Sequence, residues 1–310
     1  MTTPRTVRTV LAGAIDYAGM FPPSSLDMAT SVANYAAYRR ADHGWMLGRF
    51  VVPAARLGDF AAAAASVLPR GAAPPWAVCA VAGAGAAQDL SAIDTFNRAH
   101  DRRSVAGRAV VELVEVKVST AHDVRALDDV MPRGTRMVCE VVSAAGALAS
   151  TLQAIKACDG IAKIRTGGVT ADAVPSNDAV ADLLLACHVA RVPFKATAGL
   201  HHAVSGVHPL TYEADAPGAR MHGFLNLLLA SAVVAAAPRT PEPRLRAQVV
   251  SLLAESDATA FAFADEGIRW RDVHLTDAAL AASRDQFGLS FGSCSYEEPL
   301  ADLRALNLAV

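Results

Sequence analysis

Charge is scarce in this chain. Asp, Glu, Lys and Arg make up 19% of its 310 residues and leave a net charge of −2. So even a balance carries no footprint for nucleic acid and no polybasic patch for a membrane surface. Long apolar runs are missing as well. The most apolar window, "FLNLLLASAVVAAA", is too short to span a bilayer and reads as a buried helix. The opening "MTTPRTVRTVLAG" lacks the extended apolar stretch of a signal peptide. Cysteine is present without pattern: Cys79, Cys139, Cys158, Cys187 and Cys294 show no CxxC or CxxxC spacing. An odd, scattered set argues against a disulfide framework and a thiolate metal site, and is expected of reduced thiols in the cytoplasm. In apolar runs such cysteines read as small hydrophobes. No GxGxxG follows the first strand, so the dinucleotide fingerprint is absent and no organic cofactor is indicated.

What is there is regular. Hydrophobic residues reach 53%, enough for a substantial core. Short β-branched runs alternate with stretches of helical period, the pattern of βα units on a parallel sheet. The expected strands are "TVLAGAID", "MLGRFVVP", "PWAVCAVAG", "AVVELVEVKVS", "RMVCEVVS", "IAKIRTGG", "VPFKATAG" and "LSFGSCS". Good helix formers fill the intervals, several opening on Ser, Thr or Asp as N-caps do. Eight such units predict an α/β fold of the TIM (β/α)8 type, as one domain over residues 1–310. Two interruptions stand out. A long loop follows the seventh strand over 200–222, on the face where barrel active sites sit. Residues 260–275 read as an added hairpin before the eighth strand, either a barrel cover or a contact between copies of the chain. The Arg pair at 102–103 reads as a solvated helix end.

Several strands end in polar groups where a structural core would use Val, Ile or Leu. Strand side chains alternate between faces, so parity identifies companions. Glu115 pairs with Lys117 on the fourth strand and Lys163 with Arg165 on the sixth. Lys195, Thr197 and Gly199 share a face of the seventh, Glu140 lies late in the fifth, Arg49 in the second, and Asp16 ends the first. Lysine is almost never buried unless it is paired or reactive. An amine that attacks a carbonyl must be neutral, and burial beside a second cation lowers its pKa. Lys163 and Lys195 on adjacent strands, with Arg165 near, meet that description, and Glu115 is placed to shuttle protons. This is the logic of an imine-forming enzyme.

Four segments add a resemblance. Ile15-Asp16-Tyr17-Ala18, Lys163-Ile164-Arg165-Thr166-Gly167, Lys195-Ala196-Thr197-Ala198-Gly199 and Phe291-Gly292-Ser293-Cys294-Ser295 occur in strand order. Together they resemble the class I aldolases of the deoxyribose-phosphate aldolase type. The resemblance implies that Lys163 forms the imine, Lys195 depresses its pKa and Glu115 relays protons. It further implies that the backbone amides of Gly292, Ser293 and Ser295 hold an anion, as helix starts do. "VPFKATAGLHH" is also similar to a segment of uncharacterised bacterial proteins, a likeness that implies no activity. Arg165 and Arg49 point to a carbonyl substrate bearing phosphate or carboxylate. Two other readings stay open. His201 and His202, with His222, could serve a metal-assisted lyase or an enolising isomerase, although their spacing is not that of a standard ligand set. The barrel could also bind an anion or sugar phosphate without catalysis.

Overall fold

The computed structural model describes residues 3–83, 85–101, 107–141, 146–240 and 242–309. Seven strands run parallel in sequence order: β1 (Ile15–Tyr17), β2 (Leu47–Pro53), β3 (Trp76–Val81), β4 (Ala109–Val118), β5 (Arg136–Val141), β6 (Ile161–Arg165) and β7 (Phe194–Thr197). Two small antiparallel sheets follow, β8 (Gly206–Pro209) with β9 (Gly218–Met221), then β10 (Phe261–Phe263), β11 (Gly267–Trp270) and β12 (Val273–Thr276). The last strand, β13 (Gly288–Ser293), lies between β7 and β1 and closes an eight-stranded barrel. The fold is the TIM barrel that the alternation predicts. Arg102 and Arg103, and Val142 and Ser143 at the end of the fifth expected strand, lie outside the described residues.

The helices are α1 (Arg5–Leu11), α2 (Met28–Tyr38), α3 (Leu57–Ala64), α4 (Ala86–Ala99), α5 (Ala121–Asp128), α6 (Leu148–Ala157), α7 (Asn177–Ala190), α8 (Phe224–Ala236), α9 (Pro243–Ala254), α10 (Asp277–Gln286) and α11 (Glu297–Ala305). Their starts are written in the sequence. Asp27 accepts from the Thr30 amide, Ser176 from Ala179, and Thr120 with Asp123 forms a capping box. α8 is buried all round, as its composition predicts. Among the described residues no helix is long and apolar enough to cross a membrane.

Two expectations change. The first strand was expected over "TVLAGAID", but Arg5–Leu11 is helical and only Ile15–Tyr17 pairs in the barrel. Val7, Val10 and Leu11 fall at i, i+3 and i+4 and bury one helical stripe, a period that outweighs the β-branching of the two valines. The 200–222 segment is not an irregular loop throughout, because β8 and β9 form a hairpin arm within it. Its root is clamped by Asn226 at the start of α8. That buried amide accepts from the Ser205 N–H and donates to the Leu252 and Glu255 carbonyls. The 260–275 hairpin gains a third strand and leans on α1, where Thr6 donates to the Ala264 carbonyl.

Register sets the site. Lys163 on β6 is level with Lys195 on β7 and with Glu140 on β5, while Lys117 on β4 is level with Glu140. The equal spacing from each lysine to its glycine then has a spatial reason. Gly167 and Gly199 leave the two strands side by side, and a Cβ on Gly167 would come 2.8 Å from the Gly199 Cα. Gly199 also takes a φ of +75°, which side chains disfavour.

Candidate active site

Inside the barrel, Val51, Cys79, Leu113, Val138 and Ile161 form an apolar cluster. Threaded through this interior is an ionised network. Glu115 takes the Lys163 ammonium on one carboxylate oxygen at 2.7 Å and the Lys195 ammonium on the other at 2.7 Å. Lys163 also meets Glu140 at 2.9 Å, and Lys195 meets Asp16 at 2.9 Å. Asp16 accepts in addition from the Ser290 hydroxyl and the Arg49 amide. Lys195 is 1% exposed, Asp16 0% and Glu115 4%, so each charge depends on its partners.

Those partners decide the protonation states. Burial alone would raise the Glu115 carboxyl, but Lys195 and Lys163 beside it hold it at about 2. Burial would lower the Lys163 ammonium, yet Glu115 and Glu140 lift it above its ordinary value. Lys195 is driven the same way and further, against its burial, by the Asp16 and Glu115 carboxylates. This overturns the expectation that Lys195 depresses the Lys163 pKa. The second cation is present on the neighbouring strand, but a shared carboxylate separates the two charges. At rest both lysines are ammonium ions.

Above this network opens a cavity of about 300 Å³ at the C-terminal ends of the strands. Lys163, Lys195, Glu115 and Glu140 line it, with Lys117, Arg165, Thr197, His201 and Gly292. Phe21 and Pro22, from the loop after β1, form part of its wall. Lys117 and Arg165 are exposed at this mouth, and Arg165 donates to the Gly167 carbonyl.

The other expected residues fall elsewhere. Arg49 points to the opposite mouth, where its guanidinium pairs with Glu112 at 3.0 Å and approaches Asp16 at 3.8 Å. Parity correctly turned it into the lumen, but it is the third residue of β2 and so lies at the wrong depth. Asp16 supports Lys195 from below and does not line the cavity. Gly199 serves backbone packing. His202 faces away, hydrogen-bonded to Asp302 and stacked on His208. The side chains of Ser293 and Ser295 do not line the cavity either. The Ser293 hydroxyl turns toward His201 at 3.5 Å, and the Ser295 hydroxyl accepts from the Glu298 amide. Along this strand end Gly292 and Cys294 face the cavity, so the alternate residues face away. The three histidines do not converge, because His222 is buried against the Pro175 carbonyl. Among the described residues no three His, Cys, Asp or Glu side chains are arranged to hold a metal ion.

Sequence reasoning passed over Cys294, Glu298, Tyr212 and Ser24, which cluster at His201. Parity with Gly292 was the available signal for Cys294; Glu298 reaches His201 from α11, and Tyr212 from the turn between β8 and β9. In comparisons with known proteins, no family model and no curated protein matches the chain.

Proposed function

We propose that the protein is a Schiff-base lyase of the class I aldolase type, acting on a small carbonyl compound that carries phosphate or carboxylate, with Lys163 as the nucleophile. The observation that carries this reading is a lysine 9% exposed at the floor of an open cavity, held between two carboxylates at 2.7 and 2.9 Å. An ammonium ion cannot attack, so its proton must leave first. It leaves to water in the open cavity, while Glu140 and Glu115 act as the ion-pair partners that hold the ammonium. Attack by the freed amine forms a carbinolamine. The Lys195–Glu115 pair is placed to return a proton as water departs and the imine forms. Cleavage or formation of the adjacent C–C bond then draws electrons into the iminium. Lys117 and Arg165 at the mouth supply positive charge for the anionic end of the substrate. We take the chain to work in a reducing compartment, the cytoplasm, since its five cysteines are unbridged.

The test is reductive trapping. The protein is incubated with small aldehydes, ketones and 2-oxo acids, treated with borohydride and weighed intact beside Lys163→Ala. An adduct on the parent chain that is lost in Lys163→Ala is expected. An adduct that survives the substitution sinks the assignment of Lys163.

Because Lys163 rests protonated, adduct formation should accelerate as pH rises from 7 towards 10. Glu140→Gln removes one of the two carboxylates that hold the ammonium. It should bring the lysine pKa down and so enlarge the fraction of neutral amine. The expected result is trapping roughly tenfold faster at pH 7, the gain that follows when one stabilising charge is lost. Slower trapping would show that Glu140 matters more as proton acceptor than as ion-pair partner.

The raised Lys163 pKa favours one second reading, an enolising isomerase in which the ammonium is the acid and a neighbouring carboxylate the base. It requires substrate-dependent exchange of a C–H proton with solvent deuterium, without any trapped adduct.

A further inference from the structure

A second cluster of reactive side chains shares the cavity wall. Cys294, just past β13, and His201, just past β7, both face the cavity that holds Lys163. They are 6% and 7% exposed. The Cys294 Sγ lies 3.8 Å from the His201 Nε2. The His201 Nδ1 lies 3.0 Å from a Glu298 carboxylate oxygen, and the same oxygen accepts from the Tyr212 hydroxyl at 2.8 Å. The Ser24 hydroxyl donates to the sulfur at 3.1 Å, and the Tyr212 hydroxyl stands 3.8 Å from it. A thiol, an imidazole at its side and a carboxylate orienting that imidazole form the constellation used to activate a nucleophile.

The other thiol in this interior has the opposite surroundings. Cys79 is fully buried with the Glu115 carboxylate 3.4 Å away, and both burial and that charge push its thiol up. At Cys294 burial also works against ionisation, but the hydrogen bond and charge of His201, with Ser24, bring the thiol below its ordinary value. His201, which burial would lower, is lifted to about 9 by Cys294 and Glu298. The two groups therefore favour the thiolate–imidazolium form of each other, whereas burial and the Glu115 charge hold Cys79 as a thiol.

We propose that Cys294 is a second nucleophile of this cavity, activated by His201 and Glu298, and that it takes an acyl group from a small activated ester. The thiolate attacks the acyl carbon and the C–S bond forms. The bond from that carbon to the leaving oxygen breaks, and the leaving alcohol takes its proton from His201. Neutral His201 then removes a proton from water, which hydrolyses the thioester to a carboxylic acid and restores the thiolate–imidazolium pair. No redox partner is needed. The inference goes beyond the Schiff-base reading and stands without it.

The experiment uses the full chain and p-nitrophenyl acetate at pH 7, with intact mass and peptide mapping, and iodoacetamide as a second probe. The half-buried Cys158, whose thiol burial pushes up, is the internal reference. An acetyl group on Cys294, and alkylation of Cys294 at least tenfold faster than of Cys158, are expected. Both rates should fall tenfold or more in His201→Gln and in Glu298→Gln. The Glu298 carboxylate is about one-third exposed, so that variant tests the same point if His201→Gln does not fold. Lys163→Ala should still be acetylated on Cys294, so failure of the imine reading would leave this result intact. Equal alkylation of Cys294 and Cys158 would overturn the proposal. So would fast alkylation without an acetyl adduct, or Cys294 rates unchanged in Glu298→Gln.

Discussion

Glu115→Gln is expected to destabilise the protein by about 3 kcal/mol, towards the low end of what breaking a buried ion pair costs. The residue is nearly isosteric with its replacement, so packing is kept and the loss reports charge. Glu115 is 4% exposed and supplies the shared partner of two ammonium groups at 2.7 Å each. Its removal leaves Lys195 with Asp16 and Lys163 with Glu140, which is why the full cost of an orphaned charge is not reached. Glu112→Gln is the natural control. Its side chain pairs with Arg49 at the opposite mouth but is 41% exposed, and a pair so open to water contributes up to about 1 kcal/mol. Urea unfolding of the two variants separates the cases. Equal small losses would mean that water screens the interior network, and the protonation states derived for the lysines would fall with it.

The same carboxylate predicts the acid limb of stability. Its folded pKa of about 2 lies below the ordinary 4.5. A depressed carboxyl stabilises the fold fully above its unfolded value and ceases to do so as pH falls through its folded value. Between pH 4.5 and about 2 the parent should lose roughly 3 kcal/mol from this residue, since each pH unit between the two values is worth about 1.4 kcal/mol. The gap between parent and Glu115→Gln should close over that window. The lysines carry the opposite sign. Raised above 10.5, they stabilise the fold below that value, and their contribution is lost as pH rises through their folded pKa values. Unfolding free energies of both chains from pH 2 to 11 check the two limbs. A gap that stays constant below pH 4 would contradict the pairing.

Much of the fold was legible because its signals are local. Alternating β-branched runs and capped helical stretches need only a few neighbouring residues to read, and all eight barrel strands overlap the segments that pattern marks. The exception is instructive: Thr9–Leu11 has strand-like residues, yet the three-to-four spacing of Val7, Val10 and Leu11 made them a helix. Site residues were legible to the extent that parity decides them. Parity turned Glu115, Lys163 and Lys195 to one lumen and, applied past Gly292, would have chosen Cys294 over Ser293 and Ser295. It could not distinguish the two mouths, which is where Arg49 was misplaced.

The amino-acid sequence by itself determined the order of the units, the caps that start the helices, and the lysine–glycine spacing that lets adjacent strands leave the barrel side by side. Each of these depends on residues within a turn or a strand of one another. Only the tertiary structure decided the charge state of the lysines and the company of Cys294. Both depend on distances between groups scores of residues apart, such as Glu115 to Lys195 and His201 to Glu298. A carboxylate at 2.7 Å outweighs a second cation further off, and no spacing along the chain records that distance.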